Sequence, residues 1–394
     1  VLLALSLPAY VPWYVPLVGA AFVSADVTEP SPSADDLSSL QWGLDAIDAP
    51  EAWEAATLMA NPGARGAGVR VAVLDLGIDL THPDLCPNLN LGLSRSFVDE
   101  PLQYQPGGPI PFSHGSATAG IIAAVDDGAG IIGVAPEVEI VHVKVGFDST
   151  GGIPSGVAMA GIYYAANIGA DVINMSFGGY RTRDGWIVYP ANPTQSFFVG
   201  ADVIAAHVKA WTWATDYAHF RGVTLVASAA NNAIDRDHTA DLVHVPSDLP
   251  RVIQVSATGP VGWAFDPDTD LDVPAPYTDF GQSAIDLAAP GGSSAYPHPT
   301  NAFWPFHVEP APPSAFDLVL TTDHDGGWSW VSGTSFAAPH VAGVAALIIG
   351  VNGGSLHPDQ VRTILQRSAD DLGKPGNDDF YGAGRVNALK AVLD

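Results

Sequence analysis

Three side chains stand where the local pattern would present them for chemistry. Asp75 ends the apolar run Val71-Ala72-Val73-Leu74 and opens Asp-Leu-Gly-Ile-Asp; a carboxylate at the end of a buried strand is costly unless it is hydrogen-bonded. His114 opens His-Gly-Ser-Ala-Thr-Ala-Gly, a small-residue stretch at the mouth of a helix. Ser335 lies in Gly333-Thr334-Ser335, which runs into Ala, Val, Leu and Ile at helical spacing through Ile349. A helix beginning at about Thr334 gives Ser335 free backbone N–H groups and a positive dipole end, both suited to a developing oxyanion. Pro339 fits such a helix if it falls near the first turn, where a missing N–H loses no intrahelical bond. Asn231, closing Leu225-Val226-Ala227-Ser228-Ala229-Ala230, adds an amide donor after a buried strand. Singly, these are a turn Asp, a capping His, an N-cap Ser and a turn Asn. Together they supply what amide hydrolysis needs. A serine hydroxyl is too weakly acidic to attack unaided, an imidazole must take its proton, and a carboxylate must orient that imidazole.

The elements that must hold these groups read as parallel βαβ units. Short β-branched, apolar runs at 69–74, 140–145, 172–175, 223–227, 252–256 and 285–288 alternate with helical patterns at 117–125, 155–167, about 201–220, 337–349 and about 358–367. The expected fold class is α/β: a three-layer α/β/α arrangement around a mostly parallel sheet, in which functional groups gather beyond the carboxyl ends of the strands. Stretches near 181–198, 259–276 and 293–316, rich in Pro and aromatics, read as ordered loop insertions. No internal repeat is present.

Composition narrows the partners. With 15 Lys+Arg against 42 Asp+Glu in 394 residues, the formal charge of −27 argues against nucleic acid or an anionic membrane surface. It fits a very soluble secreted protein, expected as a monomer. Cys86 is the single cysteine, so no intrachain disulfide forms. The apolar segment 1–25 is interrupted by prolines and lacks a basic flank, which makes it a poor membrane span. Residues 1–40 read as an N-terminal extension and linker, either a signal or pro-segment remnant or an ordered arm, ahead of a catalytic unit over 41–394.

The order Asp, His, Ser and the surrounding strings together resemble the subtilisin-like serine proteases, the subtilases. The resemblance runs from about Gln41 to Asp394 through QWGLDAIDAPEAW, VAVLDLGIDLTHPDL, SHGSATAG, IIGVAPEVEIVHVKV, ADVINMSFGG, RGVTLVASAANN, IDLAAPG, SGTSFAAPHVAG and YGAGRVNALKAV. It implies Asp75 as the orienting carboxylate, His114 as the general base and Ser335 as the nucleophile, with Asn231 and the Ser335 N–H sharing the oxyanion. Asp79, His82, Asp84 and His340 are implied to be structural or calcium-binding. Thr150, Gly151 and Gly152 resemble one strand that pairs with an extended substrate, and Ser176, Phe177 and Gly178 the other. Ala229 and Ala230 would wall the primary pocket. Without a carboxylate in those walls, the expectation is an endopeptidase of broad specificity with an apolar or aromatic side chain before the scissile bond. Structural calcium is implied with Asp84 and Asp127 as side-chain ligands and the carbonyls of Val125, Ala129 and Ile131 completing an oxygen shell. The acidic run 266–272 lacks the Gly and terminal Glu of an EF-hand and is a weaker calcium candidate. Zinc is not expected, because the 12 histidines are scattered and no His-Glu-x-x-His occurs.

Three departures from the family pattern stand out. Ser116-Ala117 replaces Thr-His after His114-Gly115, Phe336 replaces Met after the nucleophile, and Ala230 stands where Gly precedes the oxyanion Asn. The last bears on the pocket and on Asn231. Two rival readings are an acid-adapted sedolisin-type enzyme, which would use Glu in place of His114, and an inactive scaffold that binds proteins or matrix through its aromatic-rich insertions. Trp304, Phe306, Trp328 and Trp330 read as local packing of a long loop, or else as substrate-edge contacts.

Overall fold

A computed structural model describes residues 36–61, 63, 65–239, 241–295, 303–306 and 311–394. Most of the expected N-terminal extension and part of the 293–316 insertion therefore lie outside the described residues. From the N-terminal side, α1 (Trp42–Ala46) and α2 (Ala49–Leu58) lead into β1 (Arg70–Asp75), followed by β2 (Arg95–Ser96), α3 (His114–Ala123), β3 (Glu139–Lys144), α4 (Ser155–Asn167) and β4 (Val172–Met175). Next come β5 (Gly179–Thr182), β6 (Trp186–Val188), β7 (Phe197–Phe198), α5 (Ala201–Phe220), β8 (Thr224–Ser228), β9 (Leu242–Val245), β10 (Val252–Thr258) and β11 (Leu287–Pro290). The chain ends through β12 (Phe303–Pro305), β13 (Val319–Thr322), β14 (Trp328–Val331), α6 (Thr334–Val351), α7 (Pro358–Ser368) and α8 (Ala388–Leu393).

Seven strands form one sheet in the order β11-β10-β8-β4-β1-β3-β2, and every pairing in it is parallel. Strand β1 is flanked by β3 on one side and β4 on the other, so the strand order reverses there and a crevice opens beyond its carboxyl end. The period-2 alternation of a strand explains the three layers. Val71 and Val73 pack with Ala119 and Ile122 of α3 and with Ala337 through Ile349 of α6. Ala72 and Leu74 point the other way, against Ala158 and Ile162 of α4 and Trp211, Ala214 and Ala218 of α5. Helix α6 is apolar on all faces because it is enclosed on all faces; it is long and apolar enough to span a membrane by length and composition, yet 94% of it is buried within the fold.

The segment after β4, expected as a surface loop, instead carries β5, β6 and β7, which join β9 in a four-stranded antiparallel sheet. The aromatic residues near the chain's end build a second small sheet, β12-β14-β13, with Trp328 and Trp330 buried against Phe316 and Leu320. These two tryptophans are packed in the core, as the loop-packing reading expects.

Candidate active site

The carboxyl end of β1 delivers Asp75, whose side chain is 1% exposed. Its Oδ1 accepts from His114 Nδ1 at 2.7 Å and from the Leu76 N–H at 2.7 Å, and its Oδ2 accepts from the Thr118 hydroxyl at 3.0 Å. Thr118 is one helical turn beyond His114, so α3 brings imidazole and hydroxyl to the same carboxylate. Ser113 caps α3 by accepting the Ser116 N–H, and its own hydroxyl donates to Gly77 O at 3.0 Å. Gly115 permits that close approach, because a Cβ there would lie 2.5 Å from Gly77 O and 2.9 Å from Leu76 O. The His114 ring, 14% exposed, lies between Phe112 and Phe336, with centroids 6.2 and 5.4 Å away. Bonding Nδ1 to Asp75 leaves Nε2 as the ring's acceptor nitrogen.

Ser335 is the second residue of α6 and is 7% exposed. Its hydroxyl donates to Ser176 O at 3.1 Å, while the Ser176 hydroxyl donates back to Ser335 O at 2.7 Å and accepts from Asn174 Nδ2 at 2.9 Å. This pair corrects the expectation about Pro339. As the sixth residue of α6 it does remove an intrahelical bond, the one its N–H would have made to Ser335 O, and the Ser176 hydroxyl supplies the missing donor.

Asn231 is anchored through its oxygen, which accepts the Thr334 N–H and the Thr334 hydroxyl, both at 2.8 Å. Its Nδ2 is thereby turned outward, 3.4 Å from where a Cβ on Gly333 would sit. Among the described residues neither that amide nor the Ser335 N–H has an acceptor. Two free donors at the N-terminus of an 18-residue helix are suited to a developing negative charge. Ala230, just before Asn231, has φ +97°, a left-handed conformation that favours glycine. Its N–H donates to the Thr334 hydroxyl at 3.1 Å and its carbonyl accepts the Asp279 N–H at 3.1 Å, so both sides of the residue are held.

These contacts decide the chemistry the site can perform. A carboxylate orients an imidazole, a serine stands at a helix start, and two unpartnered N–H donors flank it. Residues 66–384 match the Subtilase family. The chain belongs to that family of serine endopeptidases. It is 31% identical to fervidolysin of Fervidobacterium pennivorans over 91% of this chain and 44% of that protein, and 30% identical to thermitase of Thermoactinomyces vulgaris over 92% of this chain and 99% of that protein. Among solved structures, a lanthipeptide protease shares 32% identity with a TM-score of 0.64, over 89% of this chain and 97% of the other.

In this subtilase the remaining sequence candidates fall into separate places. Phe177 and Gly178 lie between β4 and β5 with no described partner for their backbone N–H and C=O groups. Thr150, Gly151 and Gly152 form a turn closed on itself: Phe147 N–H donates to Gly152 O at 2.9 Å, Gly151 N–H to Phe147 O at 2.8 Å and Gly152 N–H to the Thr150 hydroxyl at 3.3 Å. That leaves the carbonyls of Thr150 and Gly151 without a described donor. Ala229 is buried, with its N–H on Val255 O at 2.9 Å. Asp79 is tied to Thr81 and the Gly326 N–H, His82 donates to Gly327 O at 2.8 Å, and His340 is buried within α6 with its ring N–H on Phe336 O at 2.8 Å. In the 266–272 run, Asp266 and Asp270 accept the N–H groups of Asp268 and Asp272, and the Asp272 carboxylate pairs with Arg385 at 2.8 Å.

Sequence reading missed the supports. Thr118, Asn174 and Thr334 act through hydrogen bonds that residue spacing does not announce. His142, fully buried, donates to Leu76 O at 2.6 Å beneath the Asp75 turn. Asp148 takes the Gly77 N–H at 2.9 Å and pairs with the fully buried Lys144 at 2.6 Å. Asp279, behind Ala230, is pushed up to about 6 by burial although Tyr180, Asn232 and Ile234 donate to it.

Proposed function

We propose that this subtilase is a secreted, monomeric endopeptidase that cleaves protein substrates through an acyl-enzyme on Ser335, accepting apolar or aromatic side chains before the scissile bond. The observation that carries the reading is the 2.7 Å Asp75–His114 bond beside a serine whose helix start offers two free N–H donors. His114 Nε2 takes the Ser335 proton as Oγ attacks the peptide carbonyl, and the oxyanion is held by Asn231 Nδ2 and the Ser335 N–H. His114 then gives its proton to the leaving amine. Water attacks the ester by the same route and regenerates Ser335. The hydroxyl leaves Ser176 O for the imidazole in this arrangement, as catalytic hydrogen bonds tighten only when substrate is bound. Substrate lies extended along the free backbone of Phe177 and Gly178 and the carbonyls of Thr150 and Gly151, a strand-addition mode. Extracellular solubility rests on the charge of −27, and residues 41–394 act as the catalytic unit behind the extension 1–40.

A second, narrower specificity is favoured by one feature of the pocket wall. Ala230, next to Asn231, carries a methyl that a glycine would lack, which leaves less room in the primary pocket it is proposed to wall. The similar solved structure is a lanthipeptide protease, and selective cleavage of one class of peptide substrate fits such a pocket.

Calcium fits the loop after α3. The carbonyls of Val125, Ala129 and Ile131 have no described donor, whereas those of Gly130 and Ile132 accept from Leu37 N–H and Gln41 Nε2. Asp84 is buried, and its Oδ2 takes the Ile131 N–H and Trp328 Nε1 while Oδ1 has no described donor. Those groups, with the exposed Asp127, would hold the ion as a hard-oxygen shell that ties the loop to the sheet. Hydrolysis of casein and of peptides varied before the scissile bond, wild type beside Ser335→Ala, tests the proposal. Loss of roughly a millionfold in rate is expected in the mutant, and turnover that survives it refutes the serine mechanism.

A further inference from the structure

The histidines that look scattered in sequence are not all scattered in space. His219, at the C-terminal end of α5, meets His357 and Asp359 at the start of α7. His219 Nε2 lies 3.3 Å from Asp359 Oδ1, and His357 Nδ1 lies 3.5 Å from Asp359 Oδ2. One ligand atom from each residue lies within 4.8 Å of the others. A tetrahedral ion with bonds of about 2.0–2.1 Å separates its ligand atoms by about 3.3 Å. Each imidazole already lies near that distance from one oxygen of Asp359, and a side-chain rotation of that carboxylate would bring one oxygen to both.

We propose that His219, His357 and Asp359 bind a divalent transition-metal ion, with zinc the best match, and that the ion staples α5 to α7. Two imidazoles and a carboxylate form a borderline donor set that zinc and cobalt(II) prefer and calcium does not. His219 is 4% exposed and its ring is fixed edge-on against His357 and Phe220, while His357 and Asp359 are open to solvent, so the site has one rigid wall and an entry path. Water completes the fourth position. Arg251 is the competing cation, but its nearer carboxylate is Asp216 at 3.5 Å, against 3.9 Å to Asp359. The His357 Nδ1 bond to the Asp359 N–H is long, at 3.3 Å, and the ion replaces it. The site adjoins the amino end of β8, whereas Asp75 and Ser335 gather at the carboxyl ends of the strands. Its ion therefore bears on stability and not on the hydrolytic step. In a chain with one cysteine, such a cross-link has no disulfide to duplicate.

The test uses the full chain carrying Ser335→Ala, to prevent self-digestion, with calcium in excess. Titration calorimetry with zinc, the visible absorption of tetrahedral cobalt(II), and the thermal midpoint are measured. One ion per chain and a midpoint raised by a few degrees are expected. His357→Asn removes the imidazole yet keeps a good N-cap for α7, so it should fold normally and lose both the uptake and the shift. No saturable uptake by the unmutated site, or uptake that His357→Asn leaves unchanged, overturns the proposal.

Discussion

Replacing Ala230 by glycine tests the most unusual backbone position of the site. At φ +97° an L side chain is strained, and the residue is prevented from relaxing by the Thr334 hydroxyl on its N–H and the Asp279 N–H on its carbonyl. A non-glycine residue in this region costs about 1–2 kcal/mol. Glycine relieves that cost but gains about 0.5–1 kcal/mol of conformational entropy in the unfolded chain. The net expectation for Ala230→Gly is a stabilisation of about 0.5–1 kcal/mol, or about 0.5–1 °C for a chain of this size. The same change removes a methyl beside the oxyanion Asn231, and kcat/KM for peptides with large aromatic side chains before the scissile bond should rise about tenfold. Scanning calorimetry in the Ser335→Ala background reads the first effect, and peptide kinetics in the active enzyme read the second. A variant destabilised by about 1 kcal/mol or more would refute the strain. A stabilised variant with unchanged side-chain preference would show that the methyl does not face the pocket.

Three further expectations follow from the same contacts. Asn231→Ala should lower kcat by about 10²–10³ with little change in KM, since its amide is engaged only as charge develops on the carbonyl oxygen; steady-state kinetics check this. Chelation of calcium should lower the thermal midpoint by several degrees, and Asp84→Ala should abolish the difference between chelated and calcium-loaded protein. Acid should destabilise the fold. Burial holds His340 down to about 4 from its ordinary 6.5, and His142 and His244 shift in the same direction for the same reason. Below pH 6.5 the unfolded chain takes up protons that the folded state refuses, so stability falls from about pH 6.5 to about pH 4, by ~3 kcal/mol for His340 alone. Asp279 acts oppositely: raised to about 6, its stabilising contribution is present at low pH and lost as pH rises through about 6. Urea unfolding of the Ser335→Ala protein should show the net loss in acid, and a flat profile between pH 4 and 6.5 would contradict it.

The sheet was legible in the sequence wherever a strand is buried on both faces. The run Val71 to Leu74 has no polar residue, which only a central parallel strand tolerates, and its closing Asp marked the edge of the site. Helix α6 was legible from its small and aliphatic residues, although the reason Pro339 is tolerated lay in Ser176, far away in sequence. The sheet built from β5, β6, β7 and β9 was not legible, because its short strands pair across a long stretch that includes α5 and carry no alternation strong enough to mark them. Helices α1 and α2 were hidden in a stretch whose Trp and Ala positions are fixed by contacts with α8 and the loop at Val134, where Trp53 Nε1 donates at 2.9 Å. Within the proposed site, residue types singled out Asp75, His114, Asn231 and Ser335. The hydrogen bonds that orient them, from Thr118, Thr334 and Ser176, depend on tertiary approach and leave no spacing signal. The same holds for His219, His357 and Asp359, which meet only once α5 and α7 have packed.

A fluorophosphonate probe followed by peptide mass spectrometry reports directly which hydroxyl is an activated nucleophile. A single covalent adduct on Ser335 is expected, sharply slowed by His114→Ala and absent in Ser335→Ala. A folded, calcium-loaded protein that takes no label, or takes it elsewhere than Ser335, would rule out Ser335 as the nucleophile.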